Sequence, residues 1–498
     1  MIARVDTAVM TGIDGTIVTA ECDITNGLPS LNIVGLANKA ISESRERVRA
    51  AITNAGFNFP SKRITINLTP ANIVKDGTHL DLAIAISILI ASKQLPASAI
   101  NNTLLIGELG LNGELHSIRG SLNFTECAAQ HGYATIIVPT PNAQQAAMIK
   151  GINVVGATTL NSVYSHLVGE QIISPTTKSV VNNNCTLSPS IDDVHGQLQA
   201  KRALEIAAAG HHNVLFTGPP GSGKTMLAKA LPSLLPDMSA DEILSATKIH
   251  SIAGETDSII TKRPFRSPHH TASYVAMVGG GANVTPGEIS LAHTGVLFLD
   301  EIPEFSKRSL EALRQPLEDR TISISRAGAK ATFPANFMLL ATMNPCPCGY
   351  YGDNTNRCQC TPQMIQAYQK KLSGPLLDRI DLFVQVERVP NQDIVKSPAN
   401  QTPIADLWRH DIQRVRQNSH IRQGCANASL TNKQLQKIIS IEPSAQKLLD
   451  SAMERLQLSA RSYFRTLRVA TTIADLEKHS HIETSDVAEA LQFRPTNK

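Results

Sequence analysis

The chain has 498 residues, of which 42% are hydrophobic and only 4% aromatic, with eight cysteines. That composition excludes a disordered chain and a disulfide scaffold, and the length predicts about three domains at roughly 100–200 residues each. The 46 Lys and Arg against 42 Asp and Glu leave a net charge of +4, which permits a polyanionic partner without demanding one.

The opening MIARVDTAVM holds no apolar stretch long enough for a signal peptide. The most apolar run, LDLAIAISILIA from Leu80 to Ala91, is too short for a bilayer and carries Asp81. A soluble, cytoplasmic protein with no membrane partner is expected. Residues 1–168 alternate strand-like and helix-like segments: SLNIVGL reads as a strand, KAISESRERVRAAITNAG as a helix ending near Gly56, RITINLTP as a strand, and TLLIGELGLNGEL as a hairpin turning at Asn112-Gly113. This is one α/β domain. A Ser-, Thr-, Asn- and Pro-rich stretch over 169–190 reads as a linker, 191–390 as a nucleotide-binding α/β domain, and 391–498 as a helical domain after a second break, VPNQDIVKSPANQTP.

The sharpest signal is NVLFTGPPGSGKTMLAKAL. An apolar strand runs into Gly218, Pro219, Pro220, Gly221, Ser222, Gly223, Lys224 and Thr225, then a helix. The glycines let backbone N–H groups turn inward around phosphates, Lys224 reaches the β- and γ-phosphates of ATP, and the Thr225 hydroxyl reaches Mg²⁺. GVLFLDEI places Asp300 and Glu301 at the end of a second buried strand, the first suited to the Mg²⁺ shell and the second to polarising a water. FMLLATMNP ends a third strand at Asn344, a polar tip that can orient that water. SGPLLDRIDLFV sets Arg379 before a fourth; an ordinary ion pair with Asp378 or Asp381 is the alternative for it.

Together these segments resemble an AAA+ ATPase with a helical lid. The resemblance implies that Asn344 is sensor 1 and that Arg379 is an arginine finger completing a neighbour's site in a homo-hexamer. It also implies a sensor 2 arginine in LSARSYFRTLRVA: Arg461, with Arg465 and Arg468 as competitors and an exposed helix arginine as the plain alternative.

Between the carboxylate and asparagine strands, TISISRAGAKATFPANF pairs as a hairpin across 327–329 with Arg326 and Lys330 beside its tip. The region resembles the presensor hairpin of the Mg-chelatase and MCM branch, which projects into the ring pore. A ring would repeat that basic pair around a DNA strand; an ordinary surface hairpin is the alternative. PFRSPHHTAS, with Arg266, His269 and His270, is similar to the same branch and is expected to be a second pore element or a structural histidine pair.

NPCPCGYYGDNTNRCQC, an insertion over 345–361, gathers Cys346, Cys348, Cys358 and Cys360. Four thiolates on one short loop suit structural Zn²⁺; reduced thiols or redox pairing are the alternatives. Cys22, Cys127, Cys185 and Cys425 are scattered and read as packed thiols.

In the first domain, TPANIVKDGTHLDLAIAISIL and IGELGLNGELHSIRGSLNFTECAAQHGYATIIVP resemble the proteolytic domain of Lon, with His79 and Leu122 at the places of its Ser–Lys dyad. Covalent peptide cleavage then lacks nucleophile and base, and a scaffold or DNA-binding platform is expected, with SRERVR (Arg45, Arg47, Arg49) as further positive surface or a solvated helix face. A Lon-protease-like α/β domain, a P-loop AAA+ ATPase core carrying the cysteine insertion, and a helical lid together resemble the ComM/YifB family. That resemblance implies an ATP-driven hexameric DNA helicase acting on single-stranded and branched DNA. Its work would be branch migration during homologous recombination in natural transformation, with recombination proteins as partners. The alternatives are a magnesium-chelatase motor subunit, an ATP-dependent protease, and a non-catalytic nucleic-acid binding module.

Overall fold

The computed structural model describes residues 2–35, 39–177, 189–256, 258–281, 284–326, 329–352, 357–388, 404–456 and 459–495. Both expected breaks fall largely outside these: 178–188 of the first and all of VPNQDIVKSPANQTP, 389–403.

The chain opens with two long antiparallel strands, Ala3–Thr11 and Asp14–Thr25, in register from Ala3↔Cys22 to Thr11↔Asp14. Gly12 turns between them at φ 65°, a conformation that glycine adopts at little cost. Arg63–Thr69 adds antiparallel to the second strand, and Ser30–Val34 adds parallel at the edge. The helices Lys39–Asn54 and Asp81–Ala91 pack against this sheet, and three short parallel strands, Thr103–Leu105, Thr135–Pro139 and Asn153–Ala157, form a second one. The apolar run forms a buried helix. Its Asp81 is wholly buried and is met by Arg47 Nε at 2.9 Å. This corrects the expectation of three outward arginines on SRERVR. Residues two apart in a helix face different ways, so Arg47 turns inward while Arg45 and Arg49 stay exposed.

The second unit is a five-stranded sheet in the order Phe265–Arg266, Val296–Leu299, Met338–Met343, Val214–Thr217, Leu382–Gln385, with every neighbouring pair parallel. Its three central strands are buried on both faces. Phe216 and Phe298 enter one core, while Leu215, Leu297 and Leu299 enter the other. That is why they read as unbroken apolar runs rather than alternating ones. The hairpin pairs Thr321–Arg326 with Ala329–Pro334 antiparallel, Arg326 opposite Ala329 and Ser325 opposite Lys330. Ile322, Ile324, Ala331 and Phe333 turn inward, while Ser323 and Thr332 meet at 3.1 Å on the outer face. Residues 327–328, and the side chains of Arg326 and Lys330, lie outside what is described.

The C-terminal region is helical: Ile404–Gln423, Asn432–Ile438, Pro443–Leu456, Ala460–Glu477 and Thr484–Gln492. It shares one core with the inner face of the sheet, Leu467, Ile473 and Phe493 joining Val214, Phe216 and Val384. Among the described residues, no helix is long and apolar enough to cross a membrane.

The N-terminal unit leans on the sheet unit at named points. The Gly12–Ile13 turn rests on the hairpin, so close that a Cβ on Gly12 would stand 2.5 Å from that of Ala331. Gln145 donates to the carbonyls of Thr256 and Ser258 and accepts from Ser251, and Lys248 pairs with Glu126 at 2.5 Å.

Candidate active site

The Val214–Thr217 strand delivers the glycine loop to the top of the sheet. Gly218 passes so near the neighbouring strand that a Cβ would meet Val386 O at 2.1 Å. Gly221 and Gly223 take φ of 76° and 88°, which turns the loop into the helix beginning at Lys224. Lys224 Nζ donates to the carbonyls of Gly218 (2.7 Å) and Pro219 (2.9 Å) and to Asn344 Oδ1 (3.2 Å). Burial pulls its pKa down, and Asp300 and Glu301 pull the other way. Thr225 Oγ1 donates to Asp300 Oδ2 at 3.2 Å. Lys224 and Thr225 from the start of a helix, and Asp300 and Asn344 from the ends of two strands, therefore share one small polar centre. A hydroxyl beside a carboxylate is the oxygen set a hard cation takes, and a lysine at a ring of backbone N–H groups is what phosphate takes.

Glu301 stands exposed just past the strand end, in a left-handed conformation with φ 52°. Its backbone N–H donates to Thr342 Oγ1 at 3.0 Å, and that hydroxyl donates to Asp300 Oδ1 at 2.5 Å. Thr342 thus orients both carboxylate residues, and sequence reasoning missed it. The signal was there: one hydroxyl in the otherwise apolar strand MLLATM, two residues before Asn344.

The two arginines lie elsewhere. Leu382–Gln385 runs parallel to Val214–Thr217 with Leu382 opposite Val214. Arg379 precedes Leu382, and the phosphate loop follows Thr217, so they occupy opposite ends of the sheet, at least about 10 Å of strand apart. Arg379 is nearly buried. Its Nε donates to Arg314 O (2.9 Å), its Nη1 to Pro375 O (2.7 Å), and its Nη2 to the Glu318 carboxylate. Asp378 and Asp381, the expected ion-pair partners, do not take it: Asp381 is buried and held by Arg465 Nη1 at 2.6 Å. Arg461 also goes to Glu318, its Nη2 donating to Oε1 at 2.8 Å. Arg468 binds Leu430 O and Asn432. None of the three lid arginines joins the centre around Lys224 in its own chain.

The four insertion cysteines come together, their sulfurs all within 4.8 Å of one another. Cys346 lies 3.3 Å from Cys348 and 3.8 Å from Cys358, and Cys348 lies 3.6 Å from Cys358. A tetrahedral zinc with ~2.3 Å bonds sets its sulfurs about 3.8 Å apart, so this cluster could hold a metal ion. A backbone N–H from Tyr350 helps bring the Cys348 thiol down to about 6. The loop also presses on the phosphate loop: a Cβ on Gly349 would stand 2.6 Å from Pro220 Cδ, and Arg388 reaches from Pro220 O (3.3 Å) to the Tyr350 ring.

Arg266 is taken by Glu288 (2.7 Å) and Glu255 (3.3 Å). His269 and His270 pack ring on ring at 4.1 Å, with His269 Nδ1 at Thr271. In the N-terminal unit, Leu122 is buried and His79 half-buried; His79 Nε2 meets Ala8 O at 3.0 Å, and desolvation drops its pKa to about 4.

Three family models match the chain in order: subunit ChlI of Mg-chelatase over residues 20–142, magnesium chelatase subunit ChlI over 190–394, and the ChlI C-terminal region over 405–494. With the parallel sheet and its phosphate loop, they define a Mg-chelatase-like protein with a P-loop AAA+ core and a helical C-terminal region. Full-length relatives narrow this further. An uncharacterised protein YifB of Salmonella typhimurium is 42% identical over 500 residues, 100% of this chain and 98% of its own length. Competence protein ComM of Haemophilus influenzae is 42% identical over 489 residues, 97% of this chain and 95% of its own. The DNA replication licensing factor Mcm6 of Drosophila melanogaster is 25% identical over 300 residues, 58% of this chain and 33% of its own. The chain belongs to the ComM/YifB family of Mg-chelatase-like AAA+ proteins.

Proposed function

We propose that this protein is an ATP-driven DNA translocase, a cytoplasmic homo-hexamer that promotes branch migration when single-stranded DNA is recombined during natural transformation. The observation that carries the reading is the separation of Arg379 from the phosphate loop of its own chain. The centre around Lys224 holds what binds Mg²⁺ and ATP and, with Glu301, activates water, but among the described residues no arginine bonds to Lys224, Thr225, Asp300 or Asn344; Arg388, at the Pro220 carbonyl, turns to the Tyr350 ring. A neighbour in a ring supplies Arg379, with Arg461 beside it. The hairpin, directly ahead of the Asn344 strand, carries the nucleotide state to Arg326 and Lys330, which grip the DNA backbone. Zn²⁺ on the four cysteines fixes the loop against Pro220. The ComM relative's name points to competence, and the licensing-factor relatives point to DNA. A magnesium-chelatase motor is not favoured, since the full-length relatives include ComM and YifB proteins.

The test is ATP turnover with single-stranded DNA, forked DNA, casein or porphyrin added in turn. Stimulation by DNA alone is expected. Stimulation by protein alone or porphyrin alone overturns the reading.

A further inference from the structure

Arg379 and Arg461 share one carboxylate, and the place of that carboxylate in the chain gives the pairing its meaning. Glu318 lies in the short helix Pro316–Asp319, three residues before the first hairpin strand begins at Thr321. Between them, Arg320 takes a left-handed conformation with φ 58°. Its carbonyl accepts the Ala335 N–H at 2.8 Å, and its Nη1 donates to Phe337 O at 3.3 Å, so it closes the hairpin base. Whatever moves Glu318 therefore pulls on the root of the hairpin.

The cluster is built to be broken. One carboxylate faces two guanidiniums, which leaves a positive excess. The Glu318 and Arg461 side chains are 52% and 41% exposed, and an ion pair that open is weak. A nucleotide's phosphates carry more charge and accept bidentate bonds from guanidinium, so they compete well for both arginines. Arg379 is the more deeply held, with two carbonyls as well as Glu318, and it keeps its direction while its third partner changes.

We propose that Glu318 is a positioning residue that holds Arg379 and Arg461 against their own protomer until an adjacent protomer's nucleotide draws them off, and that its release and recapture shift the base of the hairpin. Nucleotide state at one interface then reaches the DNA-facing element of the protomer lending the arginines, in addition to the protomer that binds the nucleotide. The proposal rests on the reading of Arg379 as acting in trans.

The test is Glu318→Gln in the full chain, which keeps the shape and removes the charge. Turnover without DNA is expected to rise about 3- to 5-fold, the scale of a part-exposed ion pair, while stimulation by single-stranded DNA falls towards none. The effect must also act in trans: Lys224→Ala/Glu318→Gln subunits mixed with wild type should raise turnover above that with Lys224→Ala subunits, because the freed arginines serve wild-type neighbours. A thermal melt checks folding, and Glu318→Asp, which keeps the charge but shortens the reach, carries the same expectations if Glu318→Gln does not fold. A wild-type rate with wild-type DNA stimulation overturns the proposal. So does a lowered rate with the DNA ratio unchanged, which marks Glu318 as a structural clamp. If Arg379→Ala turns over normally, the trans reading falls and takes this proposal with it; if Arg379→Ala is inactive and Glu318→Gln behaves as wild type, only this proposal falls.

Discussion

Thr342 shows how much a single hydroxyl can decide. It is wholly buried, it donates to Asp300, and it accepts the N–H of Glu301 in its strained conformation. Thr342→Val keeps the shape and strands both partners, and an unsatisfied buried polar group costs about 1–3 kcal/mol. The larger effect is on orientation. Asp300 loses the bond that aims one oxygen while the other faces Thr225, and loss of a partner that orients a metal-holding carboxylate costs roughly 10–100-fold in metal affinity or activity. Thr342→Val is therefore expected to fold, to turn over ATP about 10–100-fold more slowly, and to need more Mg²⁺ for half-saturation, with Thr342→Ser restoring most of the loss. A magnesium titration of turnover checks this; an unmoved half-saturation point would remove Thr342 from the metal's surroundings. Residues such as Gly218, Lys224 and Asp300 could be read from the sequence because loop and strand chemistry is local. Glu318 could not, since its partners lie 61 and 143 positions away and no short window holds both ends.

At the scale of elements, legibility followed burial. The three central strands of the sheet are apolar on both faces and announced themselves, as did the alternating hairpin, whereas the two-residue edge strand Phe265–Arg266 is too short and too exposed to read. The opening pair Ala3–Thr11 and Asp14–Thr25 went unread because Thr, Asp and Ala blur its alternation, although Gly12 marks a turn between two such stretches. The helix Ile404–Gln423 also went unread. Its inward positions are few, Ala405, Ile412, Val415 and Ser419, and they sit among charged residues. The cysteine insertion was visible as a cluster, but its contact with the phosphate loop was not. Because Gly349 touches Pro220 directly, order in this loop should set order in the nucleotide site. One zinc per chain is expected by elemental analysis. Cys346→Ser together with Cys358→Ser should lose the metal and weaken nucleotide binding about 10-fold or more while the rest of the chain stays folded. Nucleotide affinity equal to wild type in the metal-free variant would separate the two sites.

On the reading proposed above, the whole molecule is arranged around what a single chain lacks. The sheet carries the phosphate-binding centre at one end and Arg379 at the other, and the N-terminal unit seats its Gly12 turn on the hairpin between them in sequence. A closed ring of identical subunits brings unlike ends together at every interface. If Arg379 acts in trans as proposed, Arg379→Ala leaves a subunit with its own centre intact but nothing to lend, and Glu301→Gln leaves one that can lend but not hydrolyse. Each alone is expected to be nearly inactive. Mixed before assembly, they should recover, because an Arg379→Ala subunit receiving the arginine of a Glu301→Gln neighbour has every part it needs. Random 1:1 mixing in a closed ring places such a pair at about one interface in four, so turnover should peak near equal proportions and vanish at either extreme. Complementation of that shape can arise only if the catalytic set is divided between protomers. No recovery at any ratio, with mixed assemblies verified by size and by differently tagged subunits, would mean that Arg379 serves its own chain and that its bond to Glu318 is purely structural.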